Sequence, residues 1–447
     1  MVAAEVTDER TAARFLRRLT LAAAWGEGLD GFDLGIISVA LPSLALDLHT
    51  SSVTSGFIGA STLIGIFAGA PLVGALTDRI GRRTLFMLDI AAFVVLNVLQ
   101  ALVGSAWELL AVRLALGVAI GAEYAIGAAM LAEFAPAKGR GRRLSGLLVW
   151  WYFGYLAAVV IAYALSDLAG LSWRWILACG VVPALVTLAV RIGLPESPRW
   201  LVAHGREDEA RRIVATHVAD PDYWEREEFD ESDARGGARR LLEPEHRRRL
   251  VFVCVFWACE VAPYFAIFTF APTVFASLHI SNTTASTIIA NAIAAVGAVI
   301  GAITIERIGR RRQLIPPFWI MAGALALVGI WSGAPGAIVV LAFAVFSFFN
   351  AVVGNLTAVY PNELFPTEVR STGVGIGASF SRIGAAAGTF LLPVGITAIG
   401  VGPCMLIGAA LCVVGGAVSQ RLAPETTGRT LRSTSRVVAP VRVATVH

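Results

Sequence analysis

Six charged side chains stand out by where they fall: Asp30, Asp33, Arg113, Glu123, Glu260 and Arg382 each lie inside a long apolar run. A charge at the centre of a membrane-spanning helix costs roughly 2.5–3.5 kcal/mol on insertion scales, so each needs a partner, water or a task. Proton exchange and ion binding are tasks such groups perform. Glu27, Asp30 and Asp33 follow one another at i+3, which spreads them over about a third of a helix circumference and turns at least one toward a bundle interior. Arg113 is the expected partner of Asp33, because a guanidinium favours the ionised carboxylate while burial favours the neutral acid. That competition describes a proton switch or a static tie between two helices. Glu123 and Glu260 lie at similar depth in opposite halves and are expected to face each other across a cavity, as proton or cargo contacts or as structural partners. Arg382 has no acidic residue in its run. A cargo carboxylate or phosphate bound bidentately, or a standing salt bridge to Glu260 or Asp33, would neutralise it.

The elements that must position these groups follow from composition. The chain has 447 residues, 56% hydrophobic and only 15% charged, which excludes a soluble globular enzyme. Apolar windows long enough to cross about 30 Å of hydrocarbon number twelve: 19–45, 53–76, 84–104, 107–134, 143–166, 171–193, 249–277, 281–304, 313–333, 337–360, 370–399 and 401–420. The expected organisation is an N-terminal arm (1–18), a six-helix bundle (19–193), a polar linker (194–248), a second six-helix bundle (249–420) and a tail (421–447). Arg79, Arg82 and Arg83, then Arg140, Arg142 and Arg143, then Arg307, Arg310, Arg311 and Arg312 fall in loops on one predicted side. The loops near 46–52, 104–107, 278–281, 334–336 and 399–402 carry no Arg or Lys. Short cytoplasmic loops retain positive charge, so arm, linker and tail are expected in the cytoplasm and the protein in the cell membrane among its lipids. The basic residues form no single patch, so no nucleic acid is expected despite the net charge of +4. Residues 1–18 lack the apolar core of a removable signal, and the first span is expected to insert and stay. Cys179, Cys254, Cys259, Cys404 and Cys412 all lie in apolar segments and are expected to pack without disulfides.

An internal repeat supports the division into halves. Gly74 to Arg83 (Gly-Ala-Leu-Thr-Asp-Arg-Ile-Gly-Arg-Arg) after the second span is echoed by Glu306-Arg307-Ile308-Gly309-Arg310-Arg311 after the eighth. Repeated halves are how many secondary transporters place a midplane site between two rocking bundles. With Arg113 to Gly117 and Gly121 in the fourth span, this loop resembles the major facilitator superfamily. Pro195-Glu196-Ser197-Pro198-Arg199-Trp200-Leu201, Tyr360 to Arg370 and Pro424-Glu425-Thr426-Thr427-Gly428-Arg429 resemble its sugar-porter branch. The resemblance implies an all-α membrane fold of twelve helices in two pseudo-symmetric six-helix bundles, and Asp33 as the acid that handles the proton. The seventh span, Phe256 to Tyr264, lacks the paired glutamines with which sugar porters hold hydroxyls. Residue by residue the chain is more similar to proton-coupled phosphate symporters, and that similarity implies cavity positions at Glu123, Tyr124, Glu260, Tyr264, Asn355 and Arg382. Ala125 and Trp151 stand where that family has proline and glutamine, which puts phosphate itself in doubt.

Trp150, Trp151 and Tyr152 in the fifth span, Trp257 in the seventh, and Phe348 and Phe349 in the tenth are candidates to line the pocket or simply to pack. Asp78 with Arg82 or Arg142, Glu133 with Arg140, and Glu196 or Glu363 with Arg370 are the expected gating pairs at the arginine-rich side. His49, His204, His217, His246, His279 and His447 show no metal spacing, and no P-loop occurs. Neither an enzyme, a cofactor nor a metal is therefore expected. The expected function is proton-coupled symport of a small anionic or zwitterionic metabolite by a monomer working through alternating access. Export of a drug or natural product, or symport of a neutral sugar or polyol, are the alternatives. The fifth span lacks the Gly-Pro-rich motif of antiporting exporters, which favours symport.

Overall fold

The computed structural model describes residues 9–136, 140–218, 223–226, 241, 243–365 and 367–427. The side chains of Asp78, Arg140, Arg142 and Arg370 lie outside the described residues. The first bundle is built from α1 (Glu9–Asp47), α2 (Ser52–Ile80), α3 (Arg82–Leu102), α4 (Ala106–Phe134), α5 (Arg140–Tyr163) and a sixth span in two pieces, α6 (Trp173–Ala178) and α7 (Val181–Arg191). Short helices α8 (Pro198–Ala203), α9 (Glu207–His217) and α10 (Tyr223–Arg226) follow. The second bundle comprises α11 (Pro244–Thr269), α12 (Ala271–Ser277), α13 (Thr283–Ile308), α14 (Arg310–Ile330), α15 (Gly336–Leu364), α16 (Thr367–Ile399) and α17 (Val401–Leu422). Among the described residues, twelve helical segments are long and apolar enough to cross a membrane. A backbone that crosses hydrocarbon must satisfy its own hydrogen bonds, and unbroken helices do that.

Two local features have chemical causes in the sequence. The sixth span breaks at Cys179 and Gly180, where Pro183 has no N–H to return to the carbonyl four residues earlier. The first helix begins at Glu9, well before the apolar run. Its early turns pack on the linker, with Phe15 stacked on His217 at 4.2 Å and set edge-on to Phe134 at 5.1 Å.

Within a bundle, small residues let backbones approach, the packing solution available where lipid is as apolar as leucine. Gly154 of α5 sits against the backbone of Gly28 in α1, and any side chain there would collide with it. Between bundles, α2 meets α16 and α5 meets α13. Phe57 contacts Phe390 at 4.5 Å. Tyr163 donates to Thr287 at 3.5 Å and Thr284 to Asp167 at 3.2 Å. These crossing contacts lie at the end opposite the arginine-rich loops.

The repeat is visible in backbone conformation. Gly81 closes α2 and opens α3 at φ +104°, and Gly309 does the same between α13 and α14 at φ +92°. Their ψ values of 147° and 155° place both in a region essentially reserved for glycine. Gly309→Ala is expected to lose about 1–3 kcal/mol of stability, read as a lower unfolding temperature of the purified protein in detergent.

Candidate functional site

At the arginine-rich end each bundle carries the same lock. In the first, Arg82 pairs with Glu133, which also accepts from the Ser197 hydroxyl. Glu196 caps α3 by accepting from Arg83 N at 2.9 Å. In the second, Arg310 donates to Glu363 at 2.7 and 3.1 Å, and Glu363 accepts from the Thr426 hydroxyl at 2.6 Å. Glu425 caps α14 through Arg310 N and Arg311 N, both at 3.1 Å. The matched Pro-Glu-Ser and Pro-Glu-Thr stretches therefore do equivalent work. Each supplies a carboxylate to a helix N-terminus, where the partial positive charge of the unpaired N–H groups favours an anion, and a hydroxyl to the glutamate beside it. Among the described residues Glu133 is held by Arg82 and Glu363 by Arg310; the expected partners Arg140 and Arg370 have side chains outside the described residues. The pairs also tie helices within one bundle, so they brace each rigid body at its rim.

Deeper in the first bundle, Asp33 and Arg113 do not form the expected direct ion pair. Two amides of α3 join them. Arg113 Nη1 donates to Gln100 Oε1 at 3.0 Å, Gln100 Nε2 to Asn97 Oδ1 at 2.9 Å, and Asn97 Nδ2 to Asp33 Oδ2 at 3.3 Å. All four side chains are buried. Every bond in the chain points its donor toward Asp33, so the guanidinium's charge reaches the carboxylate through two aligned dipoles. The other face of Asp33 abuts the broken sixth span: a Cβ built on Gly180 would lie 2.8 Å from Asp33 Oδ1 and 2.6 Å from Asn97 Oδ1.

Glu123 does not face Glu260. It turns into its own bundle, onto Arg191 of α7, at 2.6 Å. Arg191 also lies 3.4 Å from Asp89, donates to the Phe86 carbonyl at 2.9 Å, and sits 3.5 Å from the Phe86 ring centroid. Gly26 of α1 makes room, since a Cβ there would occupy the place of the Glu123–Arg191 pair. Asp30 is fully buried with neither carboxylate oxygen hydrogen-bonded, within electrostatic reach of Glu27, Glu123, Asp89 and Asp33. Asp89 and Glu123 thus share the Arg191 guanidinium, Asp30 lies among neighbouring carboxyl groups, and Glu27 lies within electrostatic reach of both Arg382 and Arg191. Sequence reasoning missed Arg191 and Asp89, although both are charges inside apolar runs and so carried the same signal as Asp33.

At the seam, Arg382 of α16 lies half-buried over the Tyr124 ring at 5.2 Å and near Phe265 at 5.9 Å. It forms no ion pair or hydrogen bond among the described residues. Trp151 Nε1 donates to the Tyr124 hydroxyl at 3.1 Å, and the Trp151 ring contacts Tyr152, Tyr155, Tyr264 and Phe265 with centroids 5.1–6.3 Å apart. Glu260 is nearly fully buried, and Asn350 donates to its backbone carbonyl at 2.9 Å. Two expected seam residues are elsewhere. Asn355 spends both amide hydrogens on the Ala298 and Ala351 carbonyls, at 3.0 Å each, joining α13 to α15 inside the second bundle. Trp257 packs beside Gly377 of α16 and stands apart from the ring cluster. The sequence held Asn350 five residues from Asn355, but helical rotation decides which of the two meets Glu260.

With this geometry in view, comparison with known proteins identifies the lineage. Residues 19–438 match the family model described as sugar (and other) transporter. The chain belongs to this family of the major facilitator superfamily. YaaU of Escherichia coli strain K12, provisionally described as a metabolite transport protein, is 37% identical over 424 residues, covering 94% of this chain and 95% of that protein. The inward-open xylose transporter XylE of E. coli superposes with a TM-score of 0.79 at 23% identity, covering 94% of this chain and 99% of XylE. XylE bound to 6-bromo-6-deoxy-D-glucose, described as a proton:xylose symporter, gives 0.76 at 24% identity, covering 94% and 98%. The protein is a multi-pass membrane transporter of metabolites.

The Glu425 cap makes a pH prediction. Burial pushes its carboxyl up, but hydrogen bonds from the Thr427 hydroxyl and from the backbone of Thr427, Arg311 and Arg310 outweigh it and hold the group at about 2, against an ordinary 4.5. A carboxyl held low stabilises the folded state above its ordinary value and loses that contribution as pH falls to the folded one. Resistance to thermal unfolding is expected to fall between about pH 4.5 and 2 in the native protein, and this pH-dependent component is expected to be absent in Glu425→Gln.

Proposed function

We propose that the protein is a proton-coupled symporter of a small anionic or zwitterionic metabolite, with arm, linker and tail in the cytoplasm. The observation that carries the reading is Arg382: a guanidinium of one bundle resting on Tyr124 of the other, with no carboxylate in ion-pair contact among the described residues and Glu27 only within electrostatic reach. A charge left without a partner in a partly desolvated seam is costly, and an oxyanion carried in from outside supplies the missing charge bidentately. A neutral sugar, such as the xylose carried by XylE, offers Arg382 no such charge.

Coupling to protons is supported by the first bundle. Its carboxyl groups Glu27, Asp30, Asp89 and Glu123 outnumber the guanidinium of Arg191, and a proton is the smallest species that restores neutrality. Asp33 is the exchange point: protonation there breaks the electrostatic logic of the Asn97–Gln100–Arg113 chain and frees its amides to turn. A membrane potential supplies about 2.3 kcal/mol per charge per 100 mV, enough for tens of fold accumulation.

Transport currents of reconstituted protein across a panel of small carboxylates and amino acids test this. Arg382→Ala is expected to reduce uptake at least tenfold, in keeping with about 1.5–3 kcal/mol for a hydrogen bond to a charged group. Asp33→Asn is expected to retain exchange and lose proton-driven accumulation, and Gln100→Leu to weaken it. Undiminished uptake by Arg382→Ala, or undiminished accumulation by Asp33→Asn, contradicts the proposal.

A further inference from the structure

The seam holds a second ionisable group without a partner among the described residues, an acid where Arg382 is a base. Glu260 on α11 is 3% exposed, and neither of its carboxylate oxygens has a hydrogen-bond partner among the described residues; Oε2 is wholly enclosed. Asn350, bound to the Glu260 backbone carbonyl, leaves its own Oδ1 unpartnered, as does the Tyr264 hydroxyl one helical turn along. Tyr152 brings its hydroxyl to the same place from the other bundle: a Cβ on Gly354 would lie 3.1 Å from that oxygen and 3.6 Å from Glu260 Oε1. Two buried acceptors, one of them a carboxylate, and two hydroxyls therefore converge, without a positively charged donor in contact. The Glu260 carboxyl and Asn350 Oδ1 lack a donor, and a group rich in N–H supplies it while the hydroxyls can accept from the same group.

Aromatic faces connect this place to Arg382. Tyr124 lies under the guanidinium and accepts from Trp151, and Trp151, Tyr152 and Tyr264 form a mutual cluster with centroids 5.1, 6.0 and 6.3 Å apart. Ring faces attract cations. Arg382 and Glu260 are within electrostatic reach of each other yet farther apart than an ion pair, so a molecule carrying both charges can lie between them. An anion would neutralise Arg382 and be repelled by Glu260.

We propose that the cargo is a zwitterion, its carboxylate or other oxyanion on Arg382 and its protonated nitrogen on Glu260 between the Trp151, Tyr152 and Tyr264 rings. This rests on reading Arg382 as the anion contact and adds the opposite pole. Three matched probes separate the two: 4-(aminomethyl)benzoate carries both charges, 4-methylbenzoate only the anion, and benzylamine only the cation. Binding to the purified full-length protein is measured by calorimetry. The aminomethyl acid is expected to bind at least tenfold tighter than either single-charge probe. Glu260→Gln is expected to bring it down to the methylbenzoate level, and Arg382→Gln to the benzylamine level. Glu260→Asp, which keeps the charge, is expected to preserve the preference, so a loss in Glu260→Gln is not read as misfolding. Equal binding of methylbenzoate and the aminomethyl acid, or unchanged affinity in Glu260→Gln, overturns the zwitterion while the anion contact stands. Methylbenzoate binding that ignores Arg382 overturns the anion contact itself, and failure of the aminomethyl acid to bind overturns the two-pole site.

Discussion

One constraint shapes this molecule: a charge removed from water must meet an opposite charge, an aligned dipole, a proton or a ligand. Its chemistry-bearing residues sort by which solution they use. Arg82, Glu133, Arg310 and Glu363 use opposite charge near the aqueous rim. Asp33 and Arg113 use dipoles, through Asn97 and Gln100. Asp30 is packed among other carboxyl groups and has no hydrogen bond among the described residues. Arg382 and Glu260 remain at the interface between bundles, where a ligand is the available answer.

That distribution separates two mechanical roles. The rim pairs recur in both halves and bind helices of the same half, so they make each bundle a body that moves as one. The interior groups lie where a change of charge alters what the bundles gain by touching. The aromatic cluster of Trp151, Tyr152 and Tyr264 closes the seam at mid-depth, and Phe57 with Phe390 closes it at the end away from the arginine loops.

The fold was legible because the bilayer imposes it: spans of sufficient apolar length, arginines on alternate loops, and a repeated Arg-x-Gly-Arg turn whose glycines both take positive φ. Partners were harder to read. The rim pairs among the described residues, Arg82–Glu133 and Arg310–Glu363, bridge 51 and 53 positions, a separation set by which helix ends meet at the rim. Asn97 and Gln100 carry no charge, and nothing in the sequence shows that helical rotation sets them between Asp33 and Arg113. Asn355 resembled a ligand-facing amide, but its position on α15 turns it toward α13.

The central claim is that protons held by buried carboxyls of the first bundle bias how the two bundles meet. Spin labels at Ile80 and Ile308, exposed and pseudo-equivalent beside Gly81 and Gly309, report the separation of the arginine-rich ends by pulsed electron resonance. The account predicts that acidification shifts the distance distribution in the native background and that Asp33→Asn fixes it in one population at every pH. Distributions that ignore pH, or that respond equally with Asp33→Asn, would contradict it.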